Sequence, residues 1–325
     1  MAPVDTIERV HLSIADARAV SERAMRGIGY EHEEARILAD HVIDAALCGY
    51  EYSGLPKLLN VAEDPRHKAG RRPMRVVKET TMSVLFDGGN QSGMLGMYYA
   101  TRAAIERARA HGFALVGVND IWMSGRSAYY VEMAARAGLI AIHTVAAPPM
   151  VAPLGGAEPR LGTNPIAFGF PMDGDPLVID LGTAAFMGTD LQFRQRLGLP
   201  LPEGVAIDEY GRPTTDAAAA RRGALLPFGG HKGYALALAM HALGLSAHYL
   251  FIAFKPDLFV PLGDYRRALA AEIAAIKATP RQDGVAEIRI PGERAYRERA
   301  RLTREGIEID RRIHDALMQL AEGTQ

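Results

Sequence analysis

The chain has a single cysteine, Cys48, in 325 residues, so it can form neither an internal disulfide nor a cysteine-based zinc site. An excess of one charge is also missing. The 37 Lys and Arg nearly balance 38 Asp and Glu, leaving no net field to draw a nucleic-acid backbone or an anionic membrane surface. The longest apolar run, YALALAMHALGL at 234–245, is too short to span a bilayer and is interrupted by His241. The opening MAPVDTIERVHLS lacks the apolar core of a signal peptide. Together these absences predict a cytoplasmic protein with no nucleic-acid or membrane partner. What is present is 48% hydrophobic residues on a chain long enough for one large domain or two ordinary ones, which predicts a globular fold.

Generic motifs are missing as well. No G-x-G-x-x-G follows a strand, and there is no Walker loop, no HExxH and no G-x-S-x-G. The ten histidines show no metal-ligand spacing, so no metal is predicted.

Periodicity divides the chain. Ser13 and Asp16 form a capping pattern for a helix ending near Gly27 and Gly29. In EHEEARILADHVIDAALCG (31–49), Ile37, Leu38, Val42, Ile43 and Ala46 recur at helical spacing. The basic stretch 63–73 reads as an exposed connector. From Val76 the pattern alternates: strand VVKETTMSVLF, turn DGGNQSG, a helix over 94–110, strand FALVGV, helix GRSAYYVEMAARAG and strand LIAIHTV. Strands PIAFGF and PLVIDLG, a helix across FMGTDLQFRQRLG, a loop over 201–216, a helix from Lys232, strand YLFIAFK and a helix from Gly263 follow. The tail 305–322 reads as a helix that returns to the N-terminal pair. This order predicts an α/β domain over 73–304 and a helical region over 1–72 joined by 305–325.

Three glycine-dense loops stand out: 87–96, 152–165 and 227–236. In the last, PFGGHKGYAL, clustered backbone N–H groups, a helix start and the Lys232 cation would suit a phosphate. Read by themselves, such glycines are equally ordinary turns.

The segments APLGGAEPRLGTNPIAFGFP, VIDLGT, AIDEYGRPTTD and GGHKGYALAL, in this order, resemble the malate/L-lactate dehydrogenase family of NAD(P)-dependent oxidoreductases. The resemblance implies a non-Rossmann, mixed-sheet α/β domain with a helical domain from the chain ends, and a homodimer. It also implies NAD or NADP as cofactor and a small 2-oxo, 2-hydroxy or cyclic 2-imino acid as substrate. It places Gly162, Thr163 and Asn164 beside substrate and nicotinamide, Asp180 on a strand end facing the site, and Gly230, His231 and Lys232 at the cofactor. Taken without the resemblance, Asp180 also reads as a strand-end acid capping local backbone.

The sequence departs from the family's pattern at points of chemistry. Tyr52-Ser53-Gly54 stands where the family commonly has Ser-His-Gly, and Lys57 stands where it has an arginine for the substrate carboxylate. A lysine keeps the charge and loses the bidentate fork. Met123 aligns with a second histidine, so both acid/base histidines are replaced. Tyr52, Tyr129, His143 and His231 are alternative proton donors, and an iminium substrate would need none. Arg126 is a candidate for an anionic substrate group and, equally, a surface arginine on an amphipathic helix. The candidate catalytic set is therefore Tyr52, Ser53, Lys57, Met123 and Asp180, with Lys57, Arg126, Thr163 and Asn164 on the substrate. A catalytically silent nucleotide-binding relative is the alternative. Only Ser246, Ala247 and His248 intervene where the family carries a longer glycine-rich segment.

Overall fold

The computed structural model describes residues 8–323. The N-terminal part consists of strand β1 (Arg9–Leu12) and helices α1 (Ile14–Gly27), α2 (His32–Leu47), α3 (Pro56–Glu63) and α4 (Pro65–Lys68). Ser13 caps α1 by accepting the Asp16 N–H at 3.1 Å, and Glu31 with Glu34 forms a capping box on α2. The middle of the chain builds β2 (Arg75–Glu79), β3 (Ser83–Ser92), α5 (Gly93–His111), β4 (Phe113–Trp122), α6 (Ser127–Arg136) and β5 (Ile140–Val145). After these come β6 (Ile166–Phe170), β7 (Leu177–Leu181), α7 (Gly188–Leu197), β8 (Ala206–Ile207), α8 (Ala217–Arg222) and β9 (Ala224–Leu225). The chain ends with α9 (His231–Gly244), β10 (Tyr249–Phe254), α10 (Leu262–Lys277), α11 (Glu293–Glu305), β11 (Ile307–Asp310) and α12 (Arg311–Ala321).

Seven strands form one mixed sheet in the order β2-β3-β4-β10-β5-β6-β7. Only β3 and β4 pair in parallel; every other neighbouring pair is antiparallel. The late strand β10 inserts at the centre, between β4 and β5. Helix α5 covers β3, β4 and β10, and α6 covers β5, β6 and β7. A separate core joins α1, α2 and α3 to Ile307, Ile309, Ile313 and Leu317 from the C-terminal end. The architecture is thus a mixed α/β body with a helical layer drawn from both chain ends.

Three local readings need correction. VVKETTMSVLF is a hairpin of two strands rather than one: Thr80 N–H bonds the Ser83 carbonyl, and its hydroxyl accepts the Ser83 N–H, so two threonines turn the chain without glycine or proline. DGGNQSG is no turn, because β3 runs through it to Ser92 and re-pairs with β4 after a register shift. Gly89 (φ +63°) and Asn90 (φ +60°) absorb the irregularity, and a Cβ on Gly88 would lie 2.1 Å from the Ile121 side chain. The tail begins with a strand. Its Ile-Glu-Ile-Asp alternation pairs β11 with β1 antiparallel before α12 starts.

Docking of α12 on α1 should carry much of the first core's stability. Leu317→Ala, at a fully buried position, is expected to cost about 2–5 kcal/mol in urea denaturation. Phe259→Ala, at a position 82% exposed, should cost less than about 0.5 kcal/mol.

Candidate active site

A cavity of about 1070 Å³ opens where the helical layer meets the strand ends of the sheet. Its walls come mainly from the Tyr50–Lys57 segment, the β4–α6 loop, residues 145–150 after β5, the β7 end with the first turn of α7, the end of α9 with the start of β10, and α11. That volume is at the upper end for a small-molecule site.

Lys57 enters from the first turn of α3 and is 3% exposed. Its Nζ donates to the Thr189 hydroxyl at 3.1 Å, and no carboxylate pairs with it among the described residues. Burial alone pushes its pKa down to about 8. A buried ammonium with one neutral partner is costly unless an anion arrives.

Asp180 stands at the end of β7. Its side chain is accessible to solvent inside the cavity yet surrounded by protein. One carboxylate oxygen accepts the Ala128 N–H at 2.8 Å, the first turn of α6. Burial raises its pKa; that backbone bond and the nearby Arg126 charge oppose the shift. Tyr52, on the same cavity wall, is kept a neutral phenol by burial, its pKa raised to about 12.

The remaining lining charges are committed. Arg126 is tied to Asp44, Arg299 bonds Asp44 at 2.6 Å and Glu132 at 2.7 Å, and Arg66 bonds Asp120 at 2.6 Å. Asp64 caps the first turn of α4.

The structure therefore brings Tyr52, Ser53, Lys57, Met123, Arg126, Thr163 and Asp180 to one cavity. Others lie elsewhere. Asn164 is buried and spends its amide on backbone, accepting from Ala147 N–H and donating to the Ala237 carbonyl, each at 3.0 Å. Gly162 lies behind the wall, where a Cβ would fall 2.3 Å from the Ala147 oxygen. Gly230, His231 and Lys232 are exposed at the start of α9, roughly 18 Å along that helix from the Gly244 end that lines the cavity. Tyr129 and His143 are outside the lining. His143 is a buried β5 residue bonded to the Leu250 carbonyl, its pKa lowered to about 4 by burial.

Thr189, Gln192, Tyr296 and Arg299 were not singled out by the sequence. The signal for Thr189 was present, a Gly188-Thr189 helix start four residues after VIDLGT. Arg299 sits on a strongly charged helix with nothing to distinguish it from solvated arginines. The connection from α9 to β10 runs through Leu245–His248, held by Ala146 N–H to the His248 carbonyl and His248 N–H to Asn119. Among the described residues no cluster of His, Cys, Asp and Glu could hold a metal, and no helix is long and apolar enough to cross a membrane.

The cavity suits a nicotinamide cofactor. An apolar wall of Trp122, Met123, Ala146, Pro148 and Met150 faces polar groups, and His241 Nδ1 is buried there without a partner among the described residues. Thr163, the 146–150 wall and His241, all in the lining, would hold such a group.

A family model described as malate/L-lactate dehydrogenase matches residues 12–318. The malate/(S)-sulfolactate dehydrogenase of Methanothermus fervidus is 31% identical, covering 96% of this chain and 97% of its own length. The Δ1-pyrroline-2-carboxylate/Δ1-piperideine-2-carboxylate reductase of Pseudomonas aeruginosa is 38% identical over 67% of this chain and 71% of its own. A dehydrogenase from Sinorhizobium meliloti superposes with a TM-score of 0.89 at 29% identity, over 97% of this chain and 99% of that one.

Removing the buried ammonium should stabilise the fold. Because folding lowers the Lys57 pKa from its ordinary 10.5 to about 8, the penalty is complete below pH 8 and disappears as pH rises toward 10.5. Lys57→Met is expected to gain up to about 3 kcal/mol at pH 7. The advantage over wild type in denaturant titrations should shrink steadily between pH 8 and 10.5.

Proposed function

The chain belongs to the malate/L-lactate dehydrogenase family; it is a nicotinamide-dependent oxidoreductase of small 2-oxo and 2-hydroxy acids, and we propose that its cavity favours the zwitterionic relatives of these acids, the cyclic 2-imino acids. The observation that carries this reading is a pair of opposite charges in one cavity, Lys57 and Asp180, neither of them in a salt bridge among the described residues. A 2-oxo acid brings one negative charge. A protonated cyclic imine brings a carboxylate and an N–H cation, which answer both.

A bound nicotinamide supplies or accepts the hydride at the substrate's second carbon. Lys57 holds the carboxylate, with Thr189 fixing the ammonium's direction. Asp180 faces the reacting heteroatom and holds the N–H proton of an iminium, which becomes a neutral amine without any proton from the protein. Trp122 and Met123 exclude water from this side. A ketone needs a proton instead, and the Tyr52 phenol or Ser53 hydroxyl, both in the lining, would give it. Arg126, neutralised by Asp44, shapes the field without offering an open cation.

Oxidation of NADH and of NADPH with matched cyclic imines and 2-oxo acids tests the reading. The imine should be preferred by at least about tenfold in kcat/KM, and Asp180→Asn should lose about a hundredfold on the imine. Equal use of both substrate types, or an Asn variant as active as wild type, would remove Asp180 from this role. Nucleotide binding with no turnover on any compound would leave a silent binding protein.

Helix α9 supports a homodimer. It carries no charged side chain after Lys232, yet Leu238 and Leu243 lie exposed beside Leu245, and an exposed apolar patch of this kind is normally covered. Leu238→Glu should shift the protein to monomer in sedimentation velocity; an unchanged dimer would place the interface elsewhere.

A further inference from the structure

The cavity wall at 122–126 is held in an unusual backbone path. Met123 has φ +56° and Gly125 φ +78°, and a non-glycine residue in the left-handed region costs of order 1–2 kcal/mol. Something must hold the loop there. Trp122 Nε1 donates to the Asn90 carbonyl at 3.0 Å, and Tyr130 gives its hydroxyl proton to the Ser124 carbonyl. The third hold comes from α2. His41 Nε2 accepts the Arg126 N–H at 3.0 Å.

Helix α2 thus grips residue 126 twice from adjacent turns, its backbone by His41 and its guanidinium by Asp44. The imidazole also moulds residue 125: a Cβ there would lie 2.1 Å from Nε2, so only glycine passes. The ring is wedged against Tyr129 and Tyr130, with centroids 4.7 and 5.5 Å away. Accepting at Nε2 places the ring proton on Nδ1, which is buried with no partner among the described residues. Burial, with Arg126 and Lys57 nearby, holds the imidazole neutral, its pKa well below the usual range. A neutral ring with one orphaned N–H is a costly way to fill a core, and the acceptor at its other nitrogen is what that cost secures.

We infer that His41 is a positioning residue for hydride transfer: by accepting the Arg126 N–H and pressing on Gly125, it fixes Met123 and its neighbours as the wall against which substrate and nicotinamide are aligned. The ring itself is outside the cavity lining. Its kinetic consequence rests on the reductase activity proposed above; its conformational consequence does not.

Two substitutions separate shape from hydrogen bonding. His41→Phe keeps an aromatic ring and deletes the acceptor, while His41→Gln returns an oxygen at the reach of Nε2. Trp122, adjacent to Met123 and the only tryptophan in the chain, reports the loop by its fluorescence whether or not a substrate is turned over. The Phe variant should show red-shifted emission and stronger acrylamide quenching. Its kcat should fall by at least about tenfold, with NAD(P)H affinity and far-UV circular dichroism close to wild type. The Gln variant should recover both emission and kcat. Wild-type emission and kcat in the Phe variant, or a Gln variant as impaired as Phe, overturns the assignment. Should the Phe variant fail to fold, Gly125→Ala drives a methyl into Nε2 and must give the same red shift; silence there overturns it equally. A wild-type protein inactive on every acid would refute the reductase reading and leave the fluorescence comparison to decide the role of His41.

Discussion

The site is organised around an ammonium that the protein does not neutralise. Lys57 is buried, holds one hydroxyl and has no acid beside it among the described residues. An isolated charge in such a place is tolerated only when the rest of the fold is stable enough to carry it, and when something outside the protein completes it. That condition makes the cavity a receptor for an anion before any chemistry is considered. It also explains why neighbouring cations are tied up. Were Arg126 and Arg299 open, a carboxylate would have several competing anchors and no single orientation.

Tying them up links distant parts of the chain. Asp44 on α2 takes both Arg126 from the β4–α6 loop and Arg299 from α11, and Glu132 on α6 takes Arg299 as well. Four elements drawn from distant parts of the chain therefore meet in one partly buried network at the cavity wall. Breaking one member leaves an uncompensated charge, which is why such networks are more decisive for geometry than for net stability. The chain ends are thus not an independent cap on the sheet. They supply Lys57 and Arg299 to the cavity, and His41 and Asp44 to the loop that closes it.

Much of this architecture was legible. Alternating periods found most helices and strands, because burial on one face leaves a 3.6- or 2-residue signature. Where the reading slipped, the cause was local. The β3 segment holds two glycines that look like a turn, yet inside the strand Gly88 makes room for Ile121 and Gly89 takes a positive φ against the Arg72 backbone. The placement of β10 at the sheet centre leaves no trace in any window of sequence, since strand order is decided by long-range pairing. In the site, Lys57, Asp180 and Tyr52 could be singled out because their neighbours form recognisable segments. His41 could not. It falls on the apolar stripe between Ile37 and Ala45, and a lone polar residue on such a stripe reads as an ordinary core histidine until a backbone N–H is found at its ring.

The same comparison clarifies why the glycine turns divided as they did. The resemblance puts Gly162-Thr163-Asn164-Pro165 at substrate and nicotinamide, while the clustered N–H groups and the Lys232 cation of loop 227–236 suit a phosphate. In the first, the amide of Asn164 is consumed in locking Ala147 and Ala237, and that locking sets the 146–150 wall; the turn acts on the cavity through backbone it holds, with only Thr163 and Pro165 lining it. In the second, Gly229 and Gly230 face open space and the turn stays on the surface. A glycine that is crowded on every side and one that meets nothing are identical letters in sequence. The difference lies in what fills the volume a side chain would take, and around this cavity crowded glycines, at 125, 182, 188 and 244, line the wall while open ones lie beyond it.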